Sequence, residues 1–129
     1  MATVNTTVTI SSSDLTTDVI SLSVLSTLLS ATQGGITRQK IVGTAAGSAV
    51  IIADEDLYTA GAKVWCYNPS TATSGEKVYI SFDSTSGSVV LSGGDWALFP
   101  WSAAGSGTPA DLEAWSETTN NVLEFGIFN

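Results

Sequence analysis

Three sets of side chains in this sequence are of types that do chemistry: the acidic run Asp54, Glu55 and Asp56, the pair Asp111 and Glu113, and the single thiol of Cys66. Two facing carboxylates can divide glycoside hydrolysis between an acid and a base or nucleophile. Acids in a compact loop can ligate calcium through oxygen. A thiol attacks only as thiolate, which needs a cation beside it. The local pattern speaks against each. The run 54–56 follows an apolar stretch and precedes LYTAG, where acidic turn residues are ordinary, and it lacks the alternate spacing of an EF-hand loop. Asp111, Glu113 and Glu117 alternate as the solvent face of an edge strand would. Cys66 shares its alternating face with Val64, which makes it a buried structural thiol.

The chain has no histidine, so the usual catalytic triad has no base and metals lose their commonest side-chain ligand. The glycines of TQGG (32–35) and GTAAG (43–47) lack the lysine and the strand-to-helix context of a phosphate loop, and serve as turn formers. The sequence therefore predicts a non-enzymatic protein with no catalytic residue, no metal and no cofactor.

The elements that must carry these residues read as strands. AKVWCYN (62–68) and EKVYISF (76–82) alternate with period two and are rich in β-branched and aromatic residues. NPSTATSG (68–75) and DSTSG (83–87) are turns. SVVLS (88–92), DWALF after a Gly-Gly turn, DLEAWSE (111–117) and VLEFGIF (122–128) are further strands, with SAAGSGTPAD (102–111) a loop and TTNN (118–121) a hairpin turn. In the first half TVTI is a strand, and GSAVIIA (47–53), apolar throughout, reads as a central one. Residues 14–29 fit both a helical stripe (Leu15, Val19, Leu22, Leu25, Leu29, with Asp14 as N-cap) and a strand, and their Ser, Thr, Val and Ile content favours the strand. The expected fold class is all-β: one antiparallel β-sandwich over residues 1–129, jelly-roll-like, with residues 1–40 an extended or exchanged N-terminal arm as the variant reading.

No aromatic residue precedes Tyr58, and two of the four Trp crowd into GGDWALFPW (93–101). Period two puts Trp96 and Leu98 on one face of that strand and Ala97 and Phe99 on the other, so both faces must be covered. Pro100 ends the strand or makes it an edge. Trp65, Trp101 and Trp115 sit where one flat side reaches the surface. Such indoles serve as interface anchors or as sugar platforms. No polar residues converge on them in sequence, which favours core plus interface, with Trp65, Trp96, Phe99, Trp101 and Trp115 as the candidate interface residues.

At 129 residues with net charge −8, only 12% of the chain is charged, about half the globular norm. A surface so poor in charge suits a protein packed in an assembly. Four scattered basic residues cannot neutralise a phosphate backbone, so nucleic acid and anionic membrane are poor partners. MATVNTTVTI has no cationic region before an apolar run, unlike a signal peptide, and a lone cysteine suits a compartment where thiols stay reduced.

The succession VWCYNPSTATSGEKVYISFD, VVLSGGDWALFPWSAA, DLEAWS and LEFGIFN, over about residues 60–129, resembles small β-rich structural proteins of tailed bacteriophages, in which a G-D-x-x-x-x-P-W segment runs into a final hairpin. Gly94, Asp95, Pro100 and Trp101 carry the likeness. The resemblance implies a virion structural role, assembled in the bacterial cytoplasm: a capsid cement or decoration protein bound to the major capsid protein or other virion proteins, and a homo-oligomer, a trimer by analogy with the class. The alternative is a carbohydrate- or receptor-binding β-sandwich of a phage tail or fibre.

Overall fold

A computed structural model describes residues 2–13, 20–31, 34–58, 61–71, 76–82, 87–102, 110–118 and 121–129. The chain divides into two compact units, Met1–Thr32 and Gln33–Asn129. The first is a two-stranded antiparallel hairpin of β1 (Ala2–Ser12) and β2 (Ile20–Ala31). The stretch that fitted either helix or strand is thus strand from residue 20 onward; Asp14–Val19, with the expected N-cap, lie outside the described residues.

The second unit is an antiparallel β-sandwich. One sheet has the order β3 (Gly34–Ile41), β10 (Asn121–Phe128), β5 (Ala62–Tyr67), β8 (Trp96–Trp101). The other has the order β4 (Val50–Ala53), β9 (Leu112–Ser116), β6 (Val78–Ser81), β7 (Val89–Leu91). The pairs are nested: β3 with β10, β4 with β9, β5 with β8 and β6 with β7. Among the described strands of this unit, only β6 and β7 are consecutive and paired in one sheet; the others alternate between the two sheets.

Period-two alternation builds the core between the sheets. Ala62, Val64 and Cys66 of β5 and Leu123, Phe125 and Ile127 of β10 meet Val78, Ile80, Leu112 and Ala114 from the facing sheet. Three expectations change here. The apolar run 50–53 is an edge strand, not a central one, because its open side borders no described strand. DLEAWSE is central instead of an edge, lying between β4 and β6. The strands that flank the hairpin turn expected at 118–121, β9 and β10, belong to different sheets and do not pair with each other. Of the turns and loop expected at 68–75, 83–87 and 102–111, residues 72–75, 83–86 and 103–109 lie outside the described residues.

Cys66 has no exposed surface, and burial pushes its thiol up to about 12. At pH 8 about one folded molecule in ten thousand would hold the thiolate. A thiol-specific reagent at pH 8 should therefore label the native protein at least ~1,000-fold more slowly than the urea-unfolded chain. The shift also sets a sign. The folded pKa lies above the unfolded one, so its stabilisation is complete below about pH 9 and is lost as pH rises toward about 12. Thermal melts of a Cys66→Ala variant should lack the part of the alkaline decline that begins near pH 9.

Candidate interaction surface

The outer face of the sheet β3-β10-β5-β8 is built by register. Trp96 of β8 lies opposite Tyr67 of β5, Tyr67 opposite Glu124 of β10, and Glu124 opposite Arg38 of β3. The next row is Leu98, Trp65, Gly126 and Ile36; the third is Pro100, Lys63, Phe128 and Gly34. Core residues occupy the alternate positions of β5 and β10, so these rows point away from the core. The result is an aromatic and aliphatic field that runs across the sheet.

Trp65 and Tyr67 stack on each other, with ring centroids 6.1 Å apart and planes at 21°. Trp96 is 55% exposed and Ile36 69%. Phe128 lies against two bare stretches of backbone: a Cβ on Gly126 would come within 3.0 Å of its ring, and one on Gly34 within 2.8 Å. The two glycines thus let the Phe128 ring lie close to the sheet. Charged groups also lie on this face: Lys63 sits in the third row, and at one side the Arg38 guanidinium pairs with the Glu124 carboxylate, Nε donating at 2.7 Å.

The five aromatic residues singled out in the sequence divide three ways. Trp65 and Trp96 lie on this face. Trp115 lies on the outer face of the other sheet, stacked on Tyr79 at 3.9 Å and 4°, while the Tyr79 hydroxyl donates to Glu117. Phe99 and Trp101 point inward. Phe99 packs edge-on against Phe82, and Trp101, 6% exposed, belongs to the core and meets Tyr58 edge-on. The reason is Pro100: β8 is an edge strand that continues through it, so Trp101 stays in register opposite Ala62 and returns to the inside. Tyr67, Leu98, Ile36 and Phe128 complete the face. Alternation already paired Tyr67 with Trp65 and Leu98 with Trp96; Ile36 and Phe128 join only through the pairing of β3 with β10.

The acidic residues resolve differently. Asp54, Glu55 and Asp111 each bring a carboxylate oxygen within 4.8 Å of the others. Two of these carboxylates serve the turn, Asp111 accepting from the Glu55 amide at 3.0 Å and Asp54 from the Asp56 amide at 2.9 Å. The hydrogen bond that the protonated Glu55 carboxyl donates to the Asp111 carboxylate, with help from burial and the Asp111 charge, holds Glu55 above its ordinary pKa. The three carboxylate oxygens lie close enough together to receive a cation. Glu113 is not on a solvated edge. It is 9% exposed in the middle of its sheet, and its Oε2 has no hydrogen-bond partner among the described residues.

A groove of about 380 Å³ opens at the side of the sandwich formed by the edge strands β3 and β4. Gly35 and Thr37 occupy its β3 side, opposite Ile127 and Phe125, so small residues there leave the walls of Ile52, Phe125 and Ile127 uncovered. Among the described residues no helix is long and apolar enough to cross a membrane. No family model, curated protein or solved structure matches the chain.

Proposed function

We propose that the chain is a non-enzymatic virion structural protein of a tailed phage, a capsid cement or decoration protein that attaches to the major capsid protein. The observation that carries this reading is the outer face of β3-β10-β5-β8, where Trp96, Tyr67, Trp65, Leu98 and Phe128 run together on paired strands. Aromatic side chains on a fixed backbone supply large contact area at low conformational entropy, and Trp and Tyr are enriched among residues that dominate binding energy. Many modest contacts repeated over a shell hold by avidity. The nested pairing of β3 through β10 supports reading the sandwich as jelly-roll-like, an architecture that serves viral capsids and lectins alike.

The test is to mix the purified protein with empty capsids and count attached copies by electron microscopy. Saturable attachment is expected. Trp96→Ser and Trp65→Ser should each weaken it by about 30-fold, whereas Val90→Ser, exposed on the other sheet, should leave it unchanged. Absence of attachment together with saturable binding on a glycan array would replace this reading with a carbohydrate- or receptor-binding domain of a tail or fibre.

A further inference from the structure

The hairpin has two strand edges that border no described strand, one along β1 and one along β2. An open edge offers its amides and carbonyls to any strand that fits it. The edges of the sandwich are each guarded against this. β8 carries Pro100, β7 has three residues, β4 has four and a register shift, and β3 exposes Arg38 and Lys40. β1 has none of these devices. It is eleven residues long, without a charge, proline or glycine, and its one register shift against β2 falls at its end, between Ala2 and Val4. Seven of the eight residues from Thr3 to Ile10 are β-branched, the type that extended strands favour.

The order of residues in β1 indicates what fits that edge. A partner strand must set apolar residues opposite apolar ones, because a slip of one residue sends every side chain to the other face. An antiparallel pairing of β1 with itself, centred on Thr7, does this over the whole strand. Val4 falls opposite Ile10, Asn5 opposite Thr9, Thr6 opposite Val8, and Thr7 opposite itself. Pairs of β-branched residues and of threonines stabilise such a ladder. The side of the hairpin that holds Val4, Val8 and Ile10 with Leu22 and Val24 then runs on into its own copy. β2 offers no such match: centred on Leu25, it sets Ile20 opposite Ser30 and Val24 opposite Ser26. The connection between β1 and β2 carries Asp14 and Asp18. In the pairing centred on Thr7 the two Ser12 residues stand about 34 Å apart. The chain thus leaves toward its acidic connection at opposite ends of the pair, and salt screens charges over about 10 Å.

We infer that β1 pairs edge to edge with β1 of a second copy, antiparallel about a two-fold axis at Thr7, joining two hairpins into one four-stranded sheet. About ten main-chain hydrogen bonds close such a pair. A lone two-stranded ribbon is at best marginally stable in water, and further strands remedy that. An isologous contact of this kind needs only one self-complementary edge.

The experiment uses the full chain without any capsid, so its outcome is independent of the attachment assay. Sedimentation equilibrium should show a reversible dimer. Thr7→Lys and Thr7→Glu each set like charges opposite one another on the axis, and each should raise the dissociation constant about tenfold at low salt. An equimolar mixture of the two variants should return to within about threefold of the unaltered chain, because lysine then faces glutamate. Ser23→Lys puts a charge on the same side of the hairpin but on β2, and should change the constant less than about threefold. In a Cys66→Ala background, Thr7→Cys should cross-link two copies under mild oxidation and Ser23→Cys should not. All four Trp lie in the second unit, so Trp fluorescence reports whether the sandwich stays folded in each variant. A chain that stays monomeric at all concentrations would overturn the inference and leave this edge to a strand of another protein. So would association that Thr7→Lys leaves intact, or that mixing the two variants fails to restore.

Discussion

Gly43→Ala should lower stability by about 3 kcal/mol or more and the melting temperature by roughly 10 °C. A Cβ at this position would sit 1.9 Å from the carbonyl oxygen of Ser48 and 2.8 Å from its carbonyl carbon. Both are backbone atoms, so no rotamer change can relieve the clash. The segment cannot swing away freely. The Gly43 carbonyl accepts the Ser116 amide at 2.9 Å, which ties this buried residue to the central strand β9. On the other side the Ser48 hydroxyl takes up the Thr44 and Ala45 amides at 3.2 and 3.3 Å and holds the turn closed. Gly47, four residues on, has open space around the same notional Cβ and no left-handed backbone. Gly47→Ala should be neutral or stabilising by about 0.5 kcal/mol, because alanine restricts the unfolded chain. Melting curves of the two variants, each with one added methyl group, should move in opposite directions or only one should move.

Asn68→Ala should cost about 3 kcal/mol. Asn68 has no exposed surface and sits where β5 ends and the chain crosses to the other sheet. Its Nδ2 donates to the Glu76 carbonyl at 2.7 Å and the Leu91 carbonyl at 3.0 Å, and its Oδ1 accepts the Ser70 amide at 3.1 Å. Its backbone closes the turn before β8, donating to the Asp95 carbonyl at 3.0 Å and accepting from the Gly94 amide at 2.8 Å. One side chain thus fastens the ends of three strands. Truncation deprives the Leu91 carbonyl and the Ser70 amide of the partners named here, while the Glu76 carbonyl keeps a second donor in Asn121 at 2.9 Å. Asn68→Asp should be worse than alanine at neutral pH, since a carboxylate faces two carbonyl oxygens without a proton to offer. Its deficit should shrink as acid protonates it. Urea unfolding of both variants at pH 7 and pH 4.5 checks the order and the pH dependence.

The strands of this protein are legible locally, because burial on one face imposes period two on β5, β6 and β10. Their partners are not. Ile51 and Ile52 read as central because apolar runs usually are, yet β4 is an edge whose Ile51 stays exposed. Residues around 118–121 read as a hairpin because turn residues separate two strands; only the long-range pairing of β10 with β3 and β5 sends the chain across to the other sheet. The candidate face shows the same limit. Alternation alone sets Trp65 beside Tyr67 and Trp96 beside Leu98, but the register of β5 on β8 is what makes one field of them. Trp101 misled through Pro100, which ends most strands and is tolerated here because β8 is an edge. Asn68 looked like a turn former before proline, and nothing local reveals that its amide reaches across to Leu91.

The nested pairing has a consequence for the order of events during synthesis. β10 lies between β3 and β5, so the first sheet has a gap in its middle until the last of its strands has left the ribosome. Pairing across such sequence distances is slow, and partly formed sheets are exposed while it proceeds. The hairpin, by contrast, involves only near neighbours and can form microseconds after its second strand emerges. Nascent chains on one messenger would then display finished hairpins beside unfinished sandwiches, and copies could meet there before either has completed its own fold.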